Sequence, residues 1–94
     1  MTHTKEIKAT VPSLRLDVVV GAGFGCSRSR AARYIKEGLV EHRGRTTKSP
    51  SEDVKEGDEL VLKDKGRCIL VEVGGETKKG RTKILLRRMM GKEG

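Results

Sequence analysis

The sequence predicts an α+β domain: a pair of helices packed on a small, mostly antiparallel β-sheet that ends in a β-hairpin. Three observations carry this prediction. Between Ser27 and Leu39 the apolar residues fall at helical spacing, with Ala31, Ala32, Ile35 and Leu39 on one side and Arg30, Arg33, Lys36 and Glu37 on the other. Beyond Gly38 the pattern changes to short alternating runs broken by glycines. Apolar residues make up 34% of 94 residues, enough for one modest core and too few for two.

Each element follows from local signals. Residues 1–12 read as a lead-in segment, with Ile7 and Val11 as docking points and Pro12 as a break. Residues 13–90 form the single domain and residues 91–94 a flexible tail. Ser13 can cap a first helix from Leu14 to about Ala22, although Val18-Val19-Val20 favours a strand by propensity. Gly21, Gly23 and Gly25 then turn the chain, with Phe24 directed to the core. Ser27 caps the second helix, Arg28 to Glu37, and Gly38 stops it. Leu39–His42 is a short strand, Arg43-Gly44 a turn, and Thr46-Thr47 a short return. After the Ser49–Ser51 loop and the Glu56–Asp58 turn comes a strand, Glu59–Lys63. Arg67–Val73 and Thr82–Arg88 are two further strands, joined by a long basic-tipped loop over Gly74–Gly80.

Charge narrows the function. Twenty-one Lys and Arg against 13 Asp and Glu leave a net +8 and a pI near 9.9, the balance expected of a polyanion binder. The charge is also sorted along the chain. Ser27–Lys48 carries seven basic and two acidic residues, and Glu52–Glu59 carries five acidic and one basic. A surface built for solubility alone would mix the signs. No apolar run approaches the ~20 residues of a membrane span, and the first residues lack a signal peptide's apolar stretch, so a cytoplasmic chain without a membrane partner is expected. Cys26 and Cys68 are expected to be reduced, and with His3 and His42 they lack metal-ligand spacing, so neither metal nor cofactor is expected. No nucleophile and base set, P-loop or paired inward carboxylates can be assembled. The expectation is a monomeric, non-enzymatic protein with no small-molecule substrate.

The binding surface can be located. A helix N-terminus at Ser27 offers free N–H groups and a dipole that favour phosphate, with Arg28 beside it. Arg28, Arg30, Arg33, Arg43 and Arg45 can each fork two hydrogen bonds onto phosphate oxygens, and Lys36 and Lys48 add charge. Arg15 is open to either a structural pairing with Asp17 or an auxiliary contact. Lys78, Lys79 and Arg81 form either a solvated loop or a second, auxiliary contact. Phe24 and Tyr34 are the aromatic residues and neither sits in a basic strand, which argues against base stacking on single strands. Shape and backbone recognition of a folded RNA is the expectation.

Five stretches in order, Arg15-Leu16-Asp17, Ser27-Arg28 followed by Ala31 and Ile35, Gly38-Leu39-Val40, Pro50-Ser51, and Val54-Lys55-Glu56-Gly57-Asp58, resemble the S-four RNA-binding domain named for a small-subunit ribosomal protein. Lys5-Glu6-Ile7-Lys8 and the segment Val73–Arg81 are similar to one branch of it, bacterial and plastid ribosome-associated and photosystem II biogenesis-type proteins that end in such a domain. The resemblance implies an alpha-L motif, two helices and a β-turn laid against structured ribosomal or transfer RNA, possession of which would bring the ribosome in as a partner. It implies contacts from Arg28, Arg33, Arg43 and Arg45. Arg43 departs from the Asn that many members carry before the turn glycine, and His42 stands where an inward apolar residue is frequent, open to packing or to RNA. Two rivals remain: a DNA-binding helix-turn-helix-like module, which would want Asn or Gln on the outer helix face, and a protein-docking module using the acidic Glu52–Glu59 edge.

Overall fold

The computed structural model describes residues 2–91. Two helices, α1 (Leu16–Phe24) and α2 (Arg28–Lys36), pack on a six-stranded antiparallel sheet. Its strands are β1 (Thr2–Val11), β2 (Val40–His42), β3 (Arg45–Thr46), β4 (Glu59–Leu62), β5 (Gly66–Glu76) and β6 (Thr82–Gly91), in the spatial order β1-β6-β5-β4-β2-β3.

The α+β class and the C-terminal hairpin match the sequence reading, and the segment expected as a lead-in differs. From Thr2 to Val11 it is a full edge strand, paired with β6 in unbroken register from Thr2 opposite Gly91 to Val11 opposite Thr82. Its inward residues Ile7 and Ala9 are half-buried and Val11 is buried, while Lys5 and Lys8 stay exposed. The alternation was short and interrupted by Ala and Thr, so its signal was weak beside the amphipathic helix. The expected loop over Gly74–Gly80 is also shorter: β5 continues through Glu76, with irregularities after Leu70 and Val73 that absorb the extra residues. Of the expected tail, Gly91 ends β6 and residues 92–94 lie outside the described residues.

Helix α1 begins later than expected and without Ser13. Arg15 occupies the cap position and offers no side-chain cap. The free N–H groups of the first turn are satisfied by a distant loop instead: Leu16 donates to the Glu52 carbonyl at 2.8 Å and Asp17 to the Pro50 carbonyl at 3.1 Å. Val18, Val19 and Val20 are helical despite their propensity, because all three are buried between the sheet and α2. Helix α2 matches the reading closely. Ser27 Oγ accepts from the Arg30 N–H at 3.1 Å, and Gly38 follows the helix at φ 78°, a left-handed stop. The core joins these helices to the inner sheet face through Leu16, Val19, Ile35, Val40, Leu60, Leu70 and Leu86, all fully buried.

Candidate nucleic-acid interface

The amphipathic pattern of α2 is realised: Ala31 and Ile35 are buried, and Arg28, Arg30, Arg33 and Lys36 are exposed. Past the helix, Lys48 returns to its C-terminal end, where a Cβ on Gly38 would lie 3.5 Å from Lys48 Cε. The β2–β3 turn carries Arg43 and Arg45, both exposed, and these two line a shallow groove of about 710 Å³ together with Lys55, Glu52 and Asp53. The sequence-derived cations from Arg28 to Lys48 therefore decorate α2, the segment after β3 and the adjoining turn.

Two of them are tied to buried acids. Asp17, 4% exposed, accepts from Arg28 Nε and from Arg15 Nη2, each at 3.3 Å and each on Oδ2. Arg15 thus makes the structural pairing with Asp17, which also takes Arg28 of the second helix. Asp58, 7% exposed, lies with Oδ1 3.4 Å from Arg43 Nε. Among the described residues Arg30, Arg33, Lys36, Arg45 and Lys48 have no ion-pair partner, so their charges face solvent unneutralised.

Two acids of the stretch after the basic one, the half-buried Glu52 and the buried Asp58, build the floor of the turn, while Asp53 and Glu56 stay exposed. His42 is buried, with Nδ1 2.8 Å from Glu52 Oε1 and Nε2 2.8 Å from Asp58 Oδ2. Thr47 donates its hydroxyl to Glu52 Oε2 at 2.7 Å, and Asp58 Oδ2 also accepts the Lys55 N–H at 2.9 Å. The bonds from His42 and Thr47 hold the Glu52 carboxyl below its usual value. Burial alone would push Asp58 up, yet the Lys55 N–H, the His42 ring and the Arg43 guanidinium together hold it below its usual value. Sequence reading took Glu52–Glu59 as a separate acidic edge and His42 as a packing or contact residue. What it missed is that the two segments close on each other, and the only available signal was the Gly57-Asp58 turn.

Arg15 sits beside Arg28 on Asp17, whereas the other auxiliary candidates, Lys78, Lys79 and Arg81, do not join this surface. Lys78 and Lys79 stand on the β5–β6 turn, beside β1 at one margin of the sheet, whereas the β2–β3 turn lies at the other. Arg81 spends its guanidinium on β1, donating from Nη2 to the Thr10 carbonyl at 2.9 Å and from Nε to Thr10 Oγ1 at 3.2 Å. Cys26 and Cys68 are free thiols, and burial pushes Cys68 up to about 11. No helix among the described residues is long and apolar enough to cross a membrane.

Known proteins place this geometry in a family. The ribosome-associated protein quality control protein P2 of Bacillus subtilis is 38% identical over 79 residues, covering 84% of this chain and 31% of its own length. The small ribosomal subunit protein uS4 of Acidobacterium capsulatum is 35% identical over 79 residues, covering 82% of this chain and 38% of its own. The chain thus spans about a third of the length of these relatives. A crystal structure of a pseudouridylate synthase matches with a TM-score of 0.53 and 30% identity over 67% of this chain and 26% of that one. The model of the S4 domain family matches residues 14–60, the stretch that holds both helices, the β2–β3 turn and the buried acids beneath it, and the chain belongs to that family.

Proposed function

We propose that this chain binds structured RNA, ribosomal or transfer RNA, without catalysing a reaction on it, and that it works in association with the ribosome. One observation carries the reading: an exposed row of basic side chains on α2 and the β2–β3 turn, with the apolar side of the helix in the core and the buried carboxylates Asp17 and Asp58 beneath two of the arginines. Such a surface suits the phosphate backbone of a folded RNA. The ribosomal and ribosome-associated names of the relatives support the partner. The likeness to the pseudouridylate synthase spans 26% of that chain and supports a shared domain rather than a shared reaction. Helix α2 presents Arg and Lys outward, without the Asn or Gln that often read adenine, which favours RNA over a DNA groove reader.

The test is a titration of the protein against a fluorescein-labelled stem-loop RNA and a DNA duplex of equal length over a series of salt concentrations. With about four to six phosphate contacts, log affinity should fall against log salt with a slope of about −3 to −5, and RNA should bind more tightly than DNA. A slope near zero removes the reading.

A further inference from the structure

Arg43 has an unfavourable backbone for an arginine. Its φ is 59°, and with Gly44 at 81° it makes the tight β2–β3 turn. Asn, Asp or Gly adopts this left-handed conformation more readily than a long side chain does. The turn itself therefore gives no reason for arginine. The reason lies below it: Asp58 divides its two oxygens, Oδ2 inward to His42 Nε2 at 2.8 Å and Oδ1 outward to Arg43 Nε at 3.4 Å. The other ring nitrogen meets Glu52 at 2.8 Å, so the ring is held from both sides. His42 and Asp58 are nearly covered, while the Arg43 side chain is 61% exposed. A buried His42–Asp58 pair thus sets a carboxylate oxygen at ion-pair distance from a solvent-facing guanidinium, on its Nε side.

We infer that His42 and Asp58 are positioning residues for Arg43, holding the guanidinium so that its two terminal nitrogens meet one phosphate of the RNA as a fork. The inference rests on the RNA-binding reading above. An ion pair on the Nε side narrows the side-chain freedom that a loose arginine gives up on binding, and it favours rotamers that leave the two terminal nitrogens for the phosphate. A lysine at this position would keep the charge but have neither the Nε handle nor the fork.

A mutant cycle in RNA affinity tests this, with the labelled stem-loop RNA as probe and circular dichroism as the check on folding. Arg43→Gln should weaken binding about tenfold, the scale of one charge-assisted contact. Asp58→Asn and His42→Gln should each weaken it several-fold in the parent, and neither should weaken it further in the Arg43→Lys or Arg43→Gln background. Equal losses in all backgrounds would overturn the inference and leave RNA binding intact. A parent that fails to bind RNA at low salt would instead overturn the functional reading and this inference with it. Should Asp58→Asn fail to fold, hydrogen exchange of arginine Nε–H groups in the unaltered protein decides: exchange at Arg43 slower than at Arg45 supports the tether, and equal exchange overturns it.

Discussion

Asp17 takes two arginines on one oxygen, and that crowding changes what can be asked of Arg28. From sequence, Arg28 and Arg33 look alike, two outward cations on a helix, and charge reversal at either should spare stability. The structure separates them, since Arg28 Nε lies 3.3 Å from a buried carboxylate and Arg33 has no ion-pair partner among the described residues. Arg28→Glu should therefore weaken RNA binding and also cost about 1–2 kcal/mol of stability, because a second carboxylate is set against a buried one. Arg33→Glu should weaken binding alone; thermal melts beside RNA titrations check both. The His42 cluster makes its own prediction. Glu52 and Asp58 are held below their usual values in the folded protein, so the unfolded chain takes up protons first as pH falls. Their contribution is complete above the ordinary carboxylate range near about pH 4 and is lost as pH falls through the folded values. Urea unfolding should show stability dropping in acid, and less steeply in His42→Gln, which removes the ring that both carboxyls face.

Among the elements, α2 was legible because its cap, period and stop agree, and each is local. Helix α1 was legible as a helix but not at its ends, since the N–H groups of its first turn are met by carbonyls of Pro50 and Glu52 from far along the chain. Its three valines argue for a strand until the burial around them is known. Its glycines are decided by neighbours too. A Cβ on Gly21 would stand 2.9 Å from the Cys26 backbone oxygen, and one on Gly23 2.8 Å from Cys68 Sγ. Alanine would gain about 1 kcal/mol of helix propensity at either position, but overpacking costs about 1–3 kcal/mol. Gly21→Ala should be the more destabilising, because backbone cannot yield. Gly23→Ala combined with Cys68→Ala should lose less stability than the two single changes summed, as chemical denaturation of the four proteins would show.

At the scale of the whole molecule, the family-matched stretch 14–60 ends within β4, so it leaves out β1, β5 and β6. Strand β1 covers one side of β6 along its full length, and its Val11 is 3% exposed. Removing residues 1–11 should bare the β6 edge and the apolar side chains Ile84 and Leu86, giving a protein that aggregates or melts far lower; light scattering and thermal melts would detect either. A folded, monomeric truncation with unchanged melting would show that this segment is only a lead-in after all. What the sequence by itself determined is what depends on neighbours a few residues away: the α+β class, the second helix with its cap and its cationic face, the tight turn at Arg43-Gly44, and the sorting of charge. Hydrophobic period, cap chemistry and glycine placement act over one or two turns of chain, so they can be read directly. Only the tertiary structure decided which acids lie beneath which arginines, that His42 bridges two of them, and that the first residues complete the sheet. Those facts depend on pairing segments that are distant in sequence, such as Asp17 with Arg28, His42 with Asp58, and β1 with β6. No local pattern encodes such a pairing, because its free energy comes from burying both partners together.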